Sequence, residues 1–457
     1  MDTNNRIRPE SVNSDIGETQ STQSTRPRVC IRSKLMWIIC TIVIIAIITI
    51  PTAINLTKKG NVVETDLTTI MMTTEKGLTP SMLTTKKSST TTITEPGSTT
   101  TTVEPESTTT TVEPGSTTKA VWVPTGSMNR ARIYHTQVTL ANGNVLVAGG
   151  TIDTNTGLSS AEVYDPSTGV WTATGIMSSA RYYHTASILT NGNVLVVGGF
   201  PDRSIALGSA EMYNPSTEVW TTTDTMIDAR AFHTASILAN GHVLVAGGTA
   251  DGLIGLSSAE VYDSSTGLGT TTDSMSDARG AHTASILGNG NVLVAGGLSR
   301  FSLGSAEVYN PSTGLWTTIG KMNTNRFYHT QVTLANGNVL VAGGTADGST
   351  ALDSTEVYDP STGVWTTTGT MSSARYHHTA SLLANGYVLV AGGTPDRNTA
   401  LDSTEVYDPS TGLWTTTGNM SSARYYHTAS ILANGHVLFV GGSADRNTIL
   451  SSAEVYG

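Results

Sequence analysis

Two apolar patterns divide the chain. Leu35–Ile54, LMWIICTIVIIAIITIPTAI, is a run of twenty uncharged residues between basic flanks. At about 1.5 Å rise per residue, a helix of that length crosses a hydrocarbon core of roughly 30 Å, so the pattern predicts one transmembrane helix over 35–54. The alternative is a buried core helix or strand. After residue 128 the apolar runs are short and turn residues separate them. HTASILTNG (184–192) reads as a strand running into Asn191-Gly192, for which a type I′ hairpin turn with two positive φ angles is expected. VLVVGG (194–199) follows without alternation, as a strand buried on both faces would read. SAEMYNP is a third strand, ending in the turn Asn214-Pro215-Ser216-Thr217; there Pro presets φ and Asn bonds the backbone ahead of it. EVWTTT is the fourth strand.

The unit repeats. Met-x-x-x-Arg-x-x-His-Thr begins at Met128, Met177, Met226, Met275, Met322, Met371 and Met420, spaced 49 apart except for one step of 47. A period near fifty in strand vocabulary predicts propeller blades, each of four antiparallel strands. The expected fold is all-β, a seven-bladed β-propeller over residues 119–457. The seventh unit stops one strand short, at Val455-Tyr456-Gly457. VWVPTGSM at 121–128 aligns with VWTATGIM at 170–177, so a strand around Trp122 is expected to complete the last blade. An open seam would expose two unpaired strand edges.

Each unit carries a glycine pair, beginning with Gly149-Gly150, and a tyrosine, beginning with Tyr164. A tryptophan follows seven residues later at Trp171, Trp220, Trp316, Trp365 and Trp414, whereas Gly269 takes its place in one unit. This pattern resembles the kelch repeat over roughly residues 120–457 and implies a kelch-type propeller. The propeller of galactose oxidase is also similar. That resemblance would imply copper held by two tyrosines and two histidines, one tyrosine being cross-linked to a cysteine. Here no cysteine follows Cys40, and a further ligand from a domain after the propeller is not expected. Neither copper nor any other metal or cofactor is expected, and no catalytic constellation stands out.

The remaining organisation follows from composition. Residues 1–34 read as a disordered cytoplasmic tail. Arg26, Arg28, Arg32 and Lys34 precede the span, against Lys58 and Lys59 after it, so the bias places the propeller outside the cell as a type II single-pass protein. Residues 55–118 read as a Thr/Ser/Pro-rich stalk, with Pro96, Pro105 and Pro114 nine apart, able to accept O-glycans. Asn419-Met420-Ser421 is the better-placed N-glycosylation sequon. A formal net charge of -10 gives no footprint for nucleic acid. Nothing in the sequence sets an oligomeric state.

Residues present in every blade suit a scaffold. His135 and its six equivalents are expected to cap a strand or bond a neighbouring blade, and Arg132 is expected to pair with Glu162 in each unit, locking strands or adjacent blades. Function should sit where blades differ. One such position precedes each histidine: Tyr134, Tyr183, Phe232, Tyr328, His377 and Tyr426, with Ala281 the small exception. These rings could stack on a sugar, grip a protein loop, or simply pack. The other is the loop after each glycine pair, where Asp202-Arg203, Asp396-Arg397 and Asp445-Arg446 recur. The leading expectation is noncatalytic recognition of a protein or glycan outside the cell. The alternatives are an extracellular carbohydrate-active or oxidative enzyme, and a cytosolic adaptor if the topology is reversed.

Overall fold

The computed structural model describes residues 120–457; the expected tail, membrane span and stalk lie outside the described residues. Those residues form twenty-eight strands and no helix, arranged as seven four-stranded antiparallel sheets. Blade one consists of Thr136–Thr139, Val145–Ala148, Ala161–Asp165 and Val170–Ala173, and blades two to six repeat it in chain order. The first strands of successive blades touch around a closed ring, so the first strand is innermost and the fourth outermost.

Blade seven is closed from the other end of the repeats. Thr428–Ile431, Val437–Val440 and Ala453–Tyr456 are completed by Trp122–Thr125, with Trp122 opposite Tyr456 and Thr125 opposite Ala453. The Trp122 ring lies 4.8 Å from Phe439 and 5.1 Å from Tyr456. Its indole N–H donates to Gly418 O of blade six at 2.8 Å, so the closing strand holds both its own sheet and the neighbouring blade.

The core lies between blades. Leu140, Leu146, Ala148 and Ala161 of blade one pack with Val194, Val196 and Tyr213 of blade two. The second strand is buried along its whole length in every blade, because a blade meets a neighbour on each face. Full burial of each Val or Leu contributes about 1.5–3 kcal/mol, and no disulfide is present among the described residues.

The hairpin turns differ from the type I′ expectation. Gly192 N donates to Leu189 O at 2.9 Å, and Leu189 N donates to Asn193 O at 2.8 Å. Gly192 alone is left-handed there, at φ 82°. This is a type I turn followed by a left-handed glycine, the three-residue hairpin solution. Asn191 stays out of the left-handed region, and its side-chain oxygen accepts from Asn193 N at 3.0 Å.

Outer-strand tryptophans tie each blade to the one before. Trp171 donates to Gly126 O and Trp365 to Gly320 O, both at 2.8 Å. Gly269 cannot do this, and a gap lined by Met226, Val245 and Tyr262 remains beside it.

Candidate functional site

Alternating strand direction gives the propeller two unlike faces. The connections within each strand pair, first to second and third to fourth, emerge on a hairpin face. The second-to-third loops and the crossings between blades emerge on a loop face. Every candidate binding residue lies on the loop face.

That face is stitched together at each blade boundary. In the crossing from blade one to blade two, Met177 N donates to Ser159 O at 2.9 Å, Arg181 N to Leu158 O at 3.1 Å, and Gly150 N to Arg181 O at 2.9 Å. The backbone of Arg181 therefore belongs to blade one. Its guanidinium belongs to blade two: Nη1 donates to Gly198 O at 2.8 Å and Ser209 O at 3.0 Å, and Nη2 to Glu211 at 2.8 Å. Glu211 also accepts from Ser178 N at 2.7 Å and Ser179 N at 3.0 Å. All seven Arg–Glu pairs, from Arg132–Glu162 onward, lie at 2.6–2.9 Å, and every one is buried. Burial lowers the guanidinium pKa of Arg181, while the bond to Glu211 counters the shift. The Nε of Arg181 is left without a partner, and a buried pair specifies geometry more than it adds stability; here it fixes one blade against the next.

The histidines extend the stitching. His184 Nε2 meets Thr136 Oγ1 of the preceding blade at 2.9 Å, and His135 of blade one meets Thr428 of blade seven at 2.8 Å. Burial, followed by the nearby arginine charge, pushes the imidazoles of His135, His233 and His378 down to about 3. The glycine pair makes room for them. A Cβ on Gly149 would sit 2.6 Å from His184 Cε1, and one on Gly150 would sit 2.9 Å from His135 Cβ. Both glycines are also left-handed, at φ 65° and 91°.

The residue before each histidine lines the axis. Tyr134, Tyr183, Phe232, Ala281, Tyr328, His377 and Tyr426 all adopt φ of 51–58°, a conformation costing roughly 1–2 kcal/mol in a non-glycine residue. The strain is offset by bonds between blades: Tyr183 N donates to Tyr134 O at 3.1 Å, Phe232 N to Tyr183 O at 3.1 Å, and Tyr426 N to His377 O at 3.2 Å. Their rings form a girdle. Tyr134–Tyr183 and Tyr328–His377 centroids are 4.0 Å apart, Tyr183–Phe232 3.8 Å, His377–Tyr426 4.1 Å and Tyr134–Tyr426 4.4 Å. At Ala281 the girdle opens, leaving Phe232 and Tyr328 6.2 Å apart. Burial raises the phenol pKa of Tyr183, Tyr328 and Tyr426 and lowers the imidazole pKa of His377, so these groups stay neutral.

Depressions lie around the girdle. One, of about 660 Å³, is bounded by Arg300, Phe301, Phe327, Tyr328, His377 and Arg397. The buried Tyr376 hydroxyl, which lines it too, has no hydrogen-bond partner. A second, of about 230 Å³, lies between Tyr134, Tyr183, Phe232 and Arg203. The Asp–Arg loops divide their labour. Asp202, Asp396 and Asp445 accept from backbone N–H groups of their own loops; the Ser204 side chain and then its N–H lower the carboxyl pKa of Asp202, and the backbone bonds lower those of Asp396 and Asp445. Arg203 reaches Thr154 and Arg397 reaches Gly348 O, each in the preceding blade's loop, while Arg446 lines a third depression. Asn419 is exposed beside the buried Met420. The left-handed backbone of the girdle and the exposure of Phe301 escaped sequence reasoning. An apolar residue inside a polar loop was the one available signal for Phe301.

The closed ring of blades defines a seven-bladed β-propeller. The KLHDC2/KLHL20/DRC7 Kelch-repeats domain matches residues 259–442, and the Kelch motif matches 132–178 and 181–227. The chain therefore carries kelch-repeat domains. A search of curated proteins finds no match. Among solved structures, a novel fungal alcohol oxidase, described as showing catalytic diversity among the AA5 family and solved in complex with copper, aligns with TM-score 0.61 and 17% identity. The alignment covers 74% of this chain and 76% of that one. That likeness concerns the fold alone. The residues here do not fit a copper centre: among the described residues no three His, Cys, Asp or Glu side chains converge. The repeated imidazoles bond threonines instead.

Proposed function

We propose that this chain is a noncatalytic recognition module that binds a protein partner through the loop face of its propeller. One observation carries the reading. The second-to-third loops of blades one to four expose Ile152, Ile205, Leu253, Ile254 and Phe301, with 43–80% of each accessible. Large apolar side chains on an interblade-stitched, rigid face suit a protein interface. The depression between Phe301, Phe327, Tyr328 and His377 offers a socket for one partner side chain. A glycan is the second reading, supported by the aromatic walls of that same depression. We further propose that the propeller is displayed outside the cell, on the span at 35–54 and the stalk at 55–118. The uncharged run and its basic flank support that placement.

A photo-cross-linking residue at Phe301 or Leu253 of the full-length chain in animal cells should yield protein adducts that the same residue at Asn289, on the hairpin face, does not. Equal yields at all three positions would overturn the reading. Adducts lost on glycosidase treatment would move the assignment to a glycan. A gel shift after deglycosylation of the wild type, absent from Asn419→Gln, tests the extracellular placement.

A further inference from the structure

The loop face is itself divided into two unlike halves. Blade three places Leu253 and Ile254 where blade five has Ser349 and Thr350 and blade six has Asn398 and Thr399. Leu253 is 77% exposed, Ile205 66% and Ile227 67%. The same sector departs from the repeat in charge. Asp224 and Asp273 stand where the other junctions carry glycine, and Asp228 and Asp277 stand where the others carry Arg, Ser or Thr. Asp224 and Asp273 are exposed, and the side chains of Asp228 and Asp277 are each 46% exposed.

These residues form one surface. Ala206 N donates to Ala250 O at 2.9 Å, joining the loops of blades two and three, and Met226 N donates to Gly208 O at 2.8 Å. Gly255 lies against the backbone of Ala278 and Arg279, so closely that a Cβ would be 2.8 Å from Arg279 N. Ile227 N donates to Glu260 at 2.8 Å, which fixes its backbone on this face. Between residues 200 and 280 this face exposes the carboxylates of Asp202, Asp224, Asp228, Asp251, Asp273 and Asp277. Arg203, the exposed cation of that stretch, is engaged with Thr154. Asp228 and Asp277 add little to the scaffold, lying 3.8 Å from arginines whose main partners, Glu260 and Glu307, are at 2.8 and 2.9 Å.

We infer that the loop-face sector of blades two to four docks a basic, amphipathic protein segment. Its aliphatic side chains would cover Ile227, Leu253 and Ile254, with lysines or arginines opposite Asp224, Asp228, Asp273 and Asp277. The inference rests on the recognition reading above and adds the chemistry of the partner. Like charges gathered on one face repel each other within a Debye length, roughly 8–10 Å; a cationic partner relieves that repulsion and is steered toward the surface. Apolar contact then supplies most of the affinity.

The test is fluorescence anisotropy of a labelled Lys/Leu amphipathic peptide and its Glu/Leu counterpart with the full-length protein. Saturable binding of the Lys/Leu peptide alone, weakening as salt rises, is expected. The quadruple variant D224N/D228N/D273N/D277N and the double variant L253S/I254S should each weaken it about tenfold, the combined effect of removing several modest interactions at once. D353N/D402N, on the other half of the face, should leave it unchanged. Melting curves close to wild type for the variants would show that the weaker binding is not unfolding. No saturable binding, equal binding of both peptides, or an equal effect of D353N/D402N would overturn the inference. Absent peptide binding alongside cross-linked partners at Phe301 would sink this inference and leave the recognition reading standing. Failure of both experiments would sink the two together.

Discussion

The hairpin face and the loop face are made from the same seven repeats, yet they are held by different kinds of bond. Turns on the hairpin face close on themselves: Asn191 accepts from Asn193 N, and Asp359 accepts from Ser361 N and its hydroxyl. On the loop face almost every polar group of the crossing reaches into an adjacent blade, as Arg181, Glu211 and His184 do. A repeat protein can vary its loops freely only if something else fixes the angle between repeats. Here the buried crossings fix it, and the loops above them are left to carry recognition.

That difference should show most strongly in acid. The seven repeated histidines are buried, and those at 135, 233 and 378 have pKa values pushed down to about 3. The folded state keeps them neutral, whereas the unfolded chain takes up protons below about 6.5. Stability is therefore full above pH 6.5 and falls as pH drops from there toward about 3. Each imidazole contributes about 1.4 kcal/mol per pH unit. Seven together reach about 10 kcal/mol per unit, comparable to the total stability of a typical domain. Tryptophan fluorescence against pH should show cooperative unfolding within about two units below 6.5. A flat profile down to pH 4 would mean that the imidazoles protonate in the native ring.

Next in size, Arg326→Met strands the buried Glu356 and should cost about 3–5 kcal/mol. Asp359→Ala, which removes a turn acceptor on the hairpin face, should cost about 1 kcal/mol. Thermal melts of the two variants test the contrast directly, and equal effects would erase it. Glycine gives a third comparison. Gly198→Ala brings a Cβ to 2.3 Å from Arg230 O at φ 63°, for which about 2–4 kcal/mol is expected. Gly192→Ala at φ 82° meets nothing within 4 Å and should cost only about 1 kcal/mol. Urea titrations would rank them.

The smallest effect should be a gain. Glu218 sits at φ 59° where the sister turns use Gly169, Gly267, Gly314, Gly363 and Gly412. Glu218→Gly relieves that strain but adds unfolded-state entropy, for a net stabilisation of about 0.5 kcal/mol. A lowered melting temperature would show that the 3.4 Å bond from Thr174 Oγ1 to the Glu218 carboxylate outweighs the strain.

Much of this architecture was legible along the chain. The blade count followed from Met128 to Met420, and the closing strand from the likeness of 121–128 to 170–177, because periodicity survives in one dimension. The turn at Asn191-Gly192 was placed correctly but given the wrong type. Two letters specify a turn's location better than its dihedrals, and the carboxamide of Asn191 supplied a local bond that favoured the type I geometry.

The candidate site was less legible. Six aromatic letters before the histidines were visible, but not that all seven residues there turn left-handed and that the six rings come together at the axis. That conformation is unfavourable for any one of them alone, and only contacts with the blades on either side sustain it. The sequence by itself determined strands, turns, repeat number and the pairing partners within a blade, since those depend on near neighbours and on a period. The tertiary structure decided how blades meet: which blade each Arg, Glu and His reaches into, the gap at Ala281 and the acidic, apolar sector of blades two to four. Arg181 and Glu211 stand 30 positions apart and His184 and Thr136 48, and packing blade against blade is the step that makes such residues neighbours.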